Sequence, residues 1–435
     1  MSISPSSTPT PPARDQAAGA TWSGCHTYAA GELLLPDSVE QLQETVAASS
    51  RIRALGTRHS FNDVADTSGS LISVRELPER FELDDSAGTV TVSGGTSYGR
   101  VAEQLGPTPW ALANMGSLPH ISVAGAVATG THGSGVHHRN LSSAVSAIET
   151  VAADGGLHRW TREEDPAFGG RVLALGALGI TTSLTLDLVP SFEVRQDVWF
   201  DLPWDSLLEQ IEEIMASAYS VSIMPDWGST ETAGKVWLKS RTDQWDESLD
   251  PARFGARWAL GATDGLAEGQ FPHQTVQGGV PGPWWQRLPH FRPDASPSRG
   301  DEIQTEYFVE RRHGAAALAA LRRCAERFAP WVLVSELRTV AADDLWLSPA
   351  RGRDSLGIHF TWKNDPQAVL EILPLVEDAL ADLAPRPHWG KWFTLEGSAI
   401  REHYPQLSAF RDLAHAADPS GKFRNDFLAR TLALA

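Results

Sequence analysis

Residues 122–136 read Ser-Val-Ala-Gly-Ala-Val-Ala-Thr-Gly-Thr-His-Gly-Ser-Gly-Val, with four glycines and no Asp, Glu, Lys or Arg. Gly125, Gly130, Gly133 and Gly135 permit backbone angles closed to other residues and let main-chain N–H groups approach a ligand closely. Thr129, Thr131 and Ser134 add hydroxyls. The stretch reads as a ligand-binding loop, too polar and too flexible for a core helix. Two phosphate-binding patterns can be tested on it. A P-loop needs Lys and then Ser or Thr after Gly130, where Thr131 and His132 stand, and a dinucleotide fingerprint needs a third glycine at the position of His138. Neither fits, which leaves a bare surface loop or a cradle of another kind.

Working outward, the chain of 435 residues is long enough for two large domains, and 42% hydrophobic residues supply sizeable cores. A formal net charge of -18 argues against nucleic-acid and anionic-membrane partners, since both attract basic surfaces. The expected partners are small and uncharged. Cys25 and Cys324 are the two cysteines, far apart in sequence, so neither a disulfide framework nor a cysteine metal site is expected. No apolar run approaches the ~20 residues of a membrane span, and the start, MSISPSSTPTPPARDQ, lacks the regions of a signal peptide. A cytoplasmic protein with a disordered tail over residues 1–19 is the expectation.

Periodicity and turn residues predict a helix over 38–49 and strands over 51–55, 71–74, 80–83 and 89–92, then a helix over 98–105. Strands over 146–152 and 157–160 flank Asp154-Gly-Gly156, a hairpin signal, and 181–188 alternates before Pro190. From Phe192 the pattern becomes strand, helix over 206–218, strand, and then a Trp/Pro/Gly-rich stretch from Asp243 to Pro297 expected to wrap a surface or cleft. Strands over 302–309, 332–340 and 356–362, with helices over 314–328 and 367–383, predict an antiparallel sheet backed by helices. The turn Asp418–Asp426 could fold back onto the first region.

Side chains alternate along a strand, so Glu336 and Arg338 share a face, as do His359 with Thr361 and Gln304 with Glu306. Three such pairs could line one polar wall with donors and acceptors at hydroxyl spacing, or form the solvated face of an ordinary sheet. His388-Trp-Gly-Lys391 places a cation between aromatics. His132, His137 and His138 are close in sequence but lack carboxylate or thiolate companions at ligand spacing, so no metal is expected.

Gly56-Thr-Arg-His59-Ser, Asn114-Met-Gly-Ser-Leu-Pro-His-Ile-Ser-Val-Ala-Gly125, Gly176-Ala-Leu-Gly-Ile180 and His388-Trp-Gly-Lys391, in that order, resemble the vanillyl-alcohol-oxidase type of flavoproteins. Together with Glu336-Leu-Arg338-Thr-Val-Ala-Ala and Trp346-Leu-Ser-Pro349 they resemble the alditol oxidases within that group. The resemblance, from about Trp22 onward, implies an α+β two-domain fold. A discontinuous FAD-binding domain would comprise residues 20–190 and a returning segment 403–435, with a substrate domain over 191–402 holding an antiparallel sheet and flanking helices. It implies FAD attached covalently through His59. It further implies cofactor contacts from Ala54, Leu55, Gly56, Thr57, Arg58, Ser60, Gly116, Ser117, Ser122, Gly125, Ala128, Thr129, Gly130, Thr131, Gly176, Gly179, Ile180 and His388. Substrate would be held by Ser117, Glu336, Arg338, Thr361, Lys391 and Gln304, with Arg338, Lys391 and His359 catalytic. Arg58 and Gly116 depart from the small residue and the alanine that the family pattern has there.

The reaction implied by the resemblance is hydride transfer from C1 of a terminal primary alcohol of an alditol (xylitol, sorbitol) to flavin N5, with O2 reduced to hydrogen peroxide, by a monomer. Arg338 and Lys391 would stabilise charge on the alcohol oxygen, and His359 or water would take its proton. The rivals are a sugar-lactone oxidase or dehydrogenase of the same superfamily, and a flavin-free binding protein.

Overall fold

The structure is a computed structural model that describes residues 13–15, 18–259, 273–292 and 300–434. Of the tail expected to be disordered, Ala13–Asp15 forms a strand and Ala18 and Gly19 are described, while the other residues fall outside.

Two sheets share the first part of the chain. Glu32–Leu35, Ser70–Ile72 and Ile52–Ala54 pair in parallel, with Ala13–Asp15 antiparallel at one edge. The helix Val39–Ala48 leads into Ile52–Ala54; Ser38 caps it by accepting from the Gln41 N–H, and Leu42 and Val46 are buried. The second sheet is antiparallel, in the order Phe81–Asp84, Thr89–Ser93, Ile180–Asp187, Val145–Val151, Leu157–Thr161. Its last pair is the hairpin expected around Asp154-Gly-Gly156.

The glycine-rich stretch is only partly the loop expected of it: Val123–Thr129 is an α-helix, and residues 130–136 follow without regular structure. Val123, Ala126 and Val127 sit at helical spacing and are buried in the first core, while small residues occupy the other side, so the helix is thin rather than flexible. It stops where Gly130 takes φ +74, a left-handed angle that suits glycine.

A nine-stranded sheet forms the second part, including Glu193–Pro203, Thr232–Arg241, Ser220–Met224, Val332–Val340, Ser355–Lys363 and Glu302–Glu310 as consecutive antiparallel neighbours. Ile303, Tyr307, Leu337, Ile358 and Phe360 form its apolar face. They pack with Ile211, Leu318, Leu321, Val369 and Leu373 from the helices Trp204–Met215, Gly314–Arg322 and Pro366–Leu380. The other face is therefore the one carrying Gln304, Glu306, Glu336, Arg338, His359 and Thr361.

The segment after 418 lies against the first sheets. The Ile52 N–H donates to the Lys422 carbonyl at 3.0 Å, and Asn425 Nδ2 donates to the carbonyls of Asp63, Val64 and Asp66 at 3.2, 3.1 and 2.9 Å. The buried Lys422 ammonium donates to the carbonyls of Val46, Ala47 and Ala153 at 2.5, 3.3 and 2.7 Å. Arg53, also buried, bonds to the carbonyls of Phe423, Val64 and Leu175. Among the described residues no helix is long and apolar enough to cross a membrane.

Candidate active site

One cavity of about 1760 Å³ runs between the glycine-rich segments and the polar face of the large sheet. It exceeds the roughly 300–1,000 Å³ usual for a single small ligand. At one end it is lined by residues 54–60, Ser122, Gly125, Ala128, Thr129, Thr131, Gly176, Gly179 and Ile180, and at the other by Ser117, Gln304, Glu306, Glu336, Arg338, His359, Thr361, His388 and Lys391. Two expected residues are not in its wall. Gly130 ends the helix facing Leu173, which a Cβ would meet at 2.8 Å, and Gly116 lies behind the wall against Thr131 and Ile121.

The first end suits a long ligand pressed against backbone. A Cβ on Gly56 would reach Ser122 Oγ at 3.0 Å and Gly125 Cα at 3.5 Å, and one on Gly125 would reach Ser122 Oγ at 2.8 Å, so the loop and the helix stand close together here with little room for added side chains. Ser122 Oγ and Thr150 Oγ1 are buried without a hydrogen-bond partner among the described residues, although both side chains line the cavity. A cradle of this shape, with spare hydroxyls, fits the expected dinucleotide cofactor. Arg58 has φ +66 and turns its guanidinium onto the carbonyls of Ala18 and Ala20, so it braces the loop against the preceding segment.

His59 lies where the two ends meet. Burial first, then the Lys391 charge, pushes its imidazole down to about 4, so the ring is uncharged at neutral pH. Its loop is tied to the Lys391 loop: Asn62 Nδ2 donates to the carbonyls of Trp389 and Lys391 at 2.9 and 2.7 Å, and the Phe61 N–H donates to the Gly390 carbonyl at 2.7 Å.

At the second end, strand register sets the geometry. Gln304 lies opposite Thr361, and Glu306 and Glu336 lie opposite His359 from its two sides. This face is not solvated: Glu306, Glu336, His359 and Thr361 are all buried. Arg338 donates to Glu336 Oε2 and to Ser117 Oγ, the latter at 2.7 Å. Burial opposes the Arg338 charge, yet the Glu336 carboxylate holds the guanidinium above its ordinary value; burial likewise opposes the Glu336 charge, and Arg338 and His290 hold that carboxyl well below the usual range. Lys391 Nζ donates to Gln304 Oε1, which also accepts from His359 Nε2 at 3.2 Å. Burial pushes Lys391 down to about 8 and His359 down to about 3. With Nε2–H donating, His359 is left with a lone pair on Nδ1, an atom without a partner among the described residues.

Three contributors went unread in the sequence. Glu306 was placed on the polar face but given no role; its Oε1 lies 3.1 Å from His132 Nε2. His290, in the Trp-rich stretch, donates from Nε2 to Glu336 Oε1 at 2.6 Å once that carboxylate is ionised. Lys239, on Thr232–Arg241, supports the His290 segment from below. The one signal available was the i, i+2 alternation that exposed Glu306. His132, Glu306 and His388 bring ligand atoms within 4.8 Å of one another. His132 Nδ1 donates to the Gly133 carbonyl at 2.8 Å, leaving Nε2 against Glu306, and His388 Nδ1 accepts from the Gly390 N–H at 3.0 Å. His388 then carries its proton on Nε2, so the group reads as a carboxylate–imidazole network rather than an open ligand set. His137 and His138 belong to no such group among the described residues.

The chain has informative relatives. An FAD binding domain profile matches residues 32–161, and a D-arabinono-1,4-lactone oxidase profile matches residues 297–431. An alditol oxidase from a Streptomyces species is 46% identical over 94% of this chain and 97% of its own length. An L-gulono-1,4-lactone dehydrogenase from Mycobacterium tuberculosis is 29% identical over 94% of this chain and 98% of its own. Among solved structures, cholesterol oxidase from B. sterolicum superposes with a TM-score of 0.78, covering 99% of this chain and 100% of that one at 15% identity, a likeness of fold alone.

Proposed function

Because the chain belongs to the alditol oxidase family of FAD-dependent oxidoreductases, we propose that it oxidises the terminal CH2OH of linear polyols such as xylitol and sorbitol to the aldose, with O2 as acceptor and hydrogen peroxide as by-product. The observation that carries the reading is a buried polar wall that presents the cations Arg338 and Lys391 beside Ser117, Gln304, Glu336 and Thr361 to one cavity. Gulonolactone-type relatives are more distant in identity, at 29% against 46%.

Residues 54–60, 122–131 and 176–180 would hold FAD, which when bound would supply the two-electron acceptor between C1 and O2. The protein's share is positioning and charge. Ser117, Glu336, Thr361 and Gln304 would accept or donate hydrogen bonds to the hydroxyls and fix one CH2OH beside the cofactor. Arg338 and Lys391 would stabilise negative charge on its oxygen as the proton leaves. Water, or a neutral His359, would take that proton. With a value near 3 it is a weak base, so proton acceptance accompanies hydride departure rather than preceding it. Glu306 and Glu336, its cross-strand neighbours, favour the resulting imidazolium.

The uncharged His59 offers a nitrogen lone pair for a bond to the 8α carbon of the flavin. Acid precipitation should therefore leave the yellow colour with the protein, and flavin released wholly to the supernatant would end the covalent claim. The same reading assigns residues 20–190 with 403–435 to the cofactor unit and 191–402 to the substrate unit, in a cytoplasmic monomer that should elute near 47.1 kDa. Turnover of xylitol, sorbitol and gulonolactone, followed by peroxide release, tests the whole. Preference for the lactone would reassign the substrate, and a protein without flavin absorbance would exclude every oxidase.

A further inference from the structure

The wall residue Glu336 is fixed from a direction the reaction does not require. Lys239 is 1% exposed, and its ammonium donates to three consecutive carbonyls, Arg287, Leu288 and Pro289, at 2.6, 2.8 and 2.8 Å. A buried cation is tolerated only when its donors are met, and here all three are. The result is a strap, 287–291, clamped from below. Above the clamp the strap crosses the site: the N–H groups of His290 and Phe291 both donate to the Ser117 carbonyl, at 3.2 and 3.3 Å. Thr275 Oγ1 reinforces it by donating to the Pro289 carbonyl at 2.5 Å. The His290 ring stands edge-on to Trp237 at 5.0 Å, and its Nε2 takes the Glu336 oxygen that Arg338 leaves free. With Oε1 on His290 and Oε2 on Arg338, the carboxylate cannot rotate, and its remaining lone pairs keep one direction.

We propose that His290, clamped through its strap by Lys239, is a positioning residue that sets affinity and hydroxyl discrimination by holding the Glu336 carboxylate in the orientation that reads the polyol. The inference rests on the alditol reading above. It assigns the strap no part in the electron transfer itself. A carboxylate freed at Oε1 keeps its bond to Arg338 through Oε2 but can turn about it, so its lone pairs no longer meet the hydroxyls in one direction and the loss should fall on binding.

The test compares His290→Phe, which keeps ring packing on Trp237 but removes the donor, with His290→Gln, which restores a donor. Anaerobic flavin reduction by xylitol, sorbitol and 2-deoxy analogues gives apparent affinity and limiting rate separately. For His290→Phe, apparent affinity for xylitol should weaken about tenfold to a hundredfold, as for loss of one hydrogen bond to a charged group, with the limiting rate within about threefold and the penalty against the deoxy analogue reduced. His290→Gln should recover most of the affinity. Unchanged affinity in His290→Phe, no rescue by His290→Gln, or a loss confined to the limiting rate would each overturn the assignment. Wild-type turnover of the same panel judges the alditol reading separately, since failure there is independent of either variant. Lys239→Met should reproduce the His290→Phe pattern if it retains flavin; a flavin-loaded Lys239→Met with wild-type affinity would refute the clamp.

Discussion

Lys391 is a cation held where a cation is expensive. Burial moves its ammonium from the ordinary 10.5 down to about 8, a difference of about 3 kcal/mol against the charged form at about 1.4 kcal/mol per unit. If that charge stabilises the departing oxygen, kcat/KM for an alditol should be flat below pH 8 and fall about tenfold per pH unit above it, because the charged fraction halves at the titration point. His359, at about 3, places no acid limb above pH 4. Stopped-flow reduction with xylitol across pH 6–10 reads the limb directly. Lys391→Ala should lower the rate by ~10²–10³-fold and abolish the limb. Lys391→Arg should move the limb out of range, since a guanidinium stays charged, although its planar fork will not reproduce the full rate. A limb that stays at pH 8 in either variant belongs to another group and defeats the argument. Near-wild-type rates in Lys391→Ala would defeat the assignment of the charge.

Arg338→Ala should slow flavin reduction by ~10²–10³-fold with flavin still bound, because the guanidinium's hydrogen bonds go to Glu336 and Ser117 at the sheet end of the cavity. Gly116 is not at positive φ, so a side chain there meets no backbone strain; its Cβ would stand 3.3 Å from Thr131 Cγ2. Gly116→Ala should thus fold normally and, because the position lies behind the cavity wall, leave both anaerobic reduction and reoxidation by air near wild type; a selective loss of reoxidation would refute that placement. Lys422→Met strips the donor from three carbonyls and should cost roughly 2–4 kcal/mol, read as a lower thermal midpoint with flavin loss, whereas an unchanged midpoint would show those bonds to be idle.

Legibility in the sequence followed periodicity. The strand predicted over 332–340 coincides with Val332–Val340, and alternation places Glu336 with Arg338 and His359 with Thr361 on one face, as the register shows. What alternation could not say was which face is buried, since that depends on helices 314–322 and 366–380 covering the opposite side. His290 escaped because it sits where periodicity is weak, 46 residues from the carboxylate it serves. The His132–Glu306 contact spans 174 residues between a glycine-rich turn and a strand, a separation that no local pattern encodes. The helix Val123–Thr129 was hidden by its glycine, although Val123, Ala126 and Val127 already carried a helical period.

The bonds from Lys422 and Asn425 to the early strands also order the protein's manufacture. Ile52 lies two residues before Ala54 in the strand that opens the cofactor cradle, and its N–H waits for the Lys422 carbonyl. Arg53 likewise completes its bonds only on Phe423. On a ribosome, the first third of the chain must remain incomplete while the whole large sheet is synthesised, and it closes only after residues 418–425 arrive. Flavin capture is thereby expected near the end of biosynthesis. A chain cut short before residue 418 should lack those bonds and hold flavin poorly, as a cradle with an open seam.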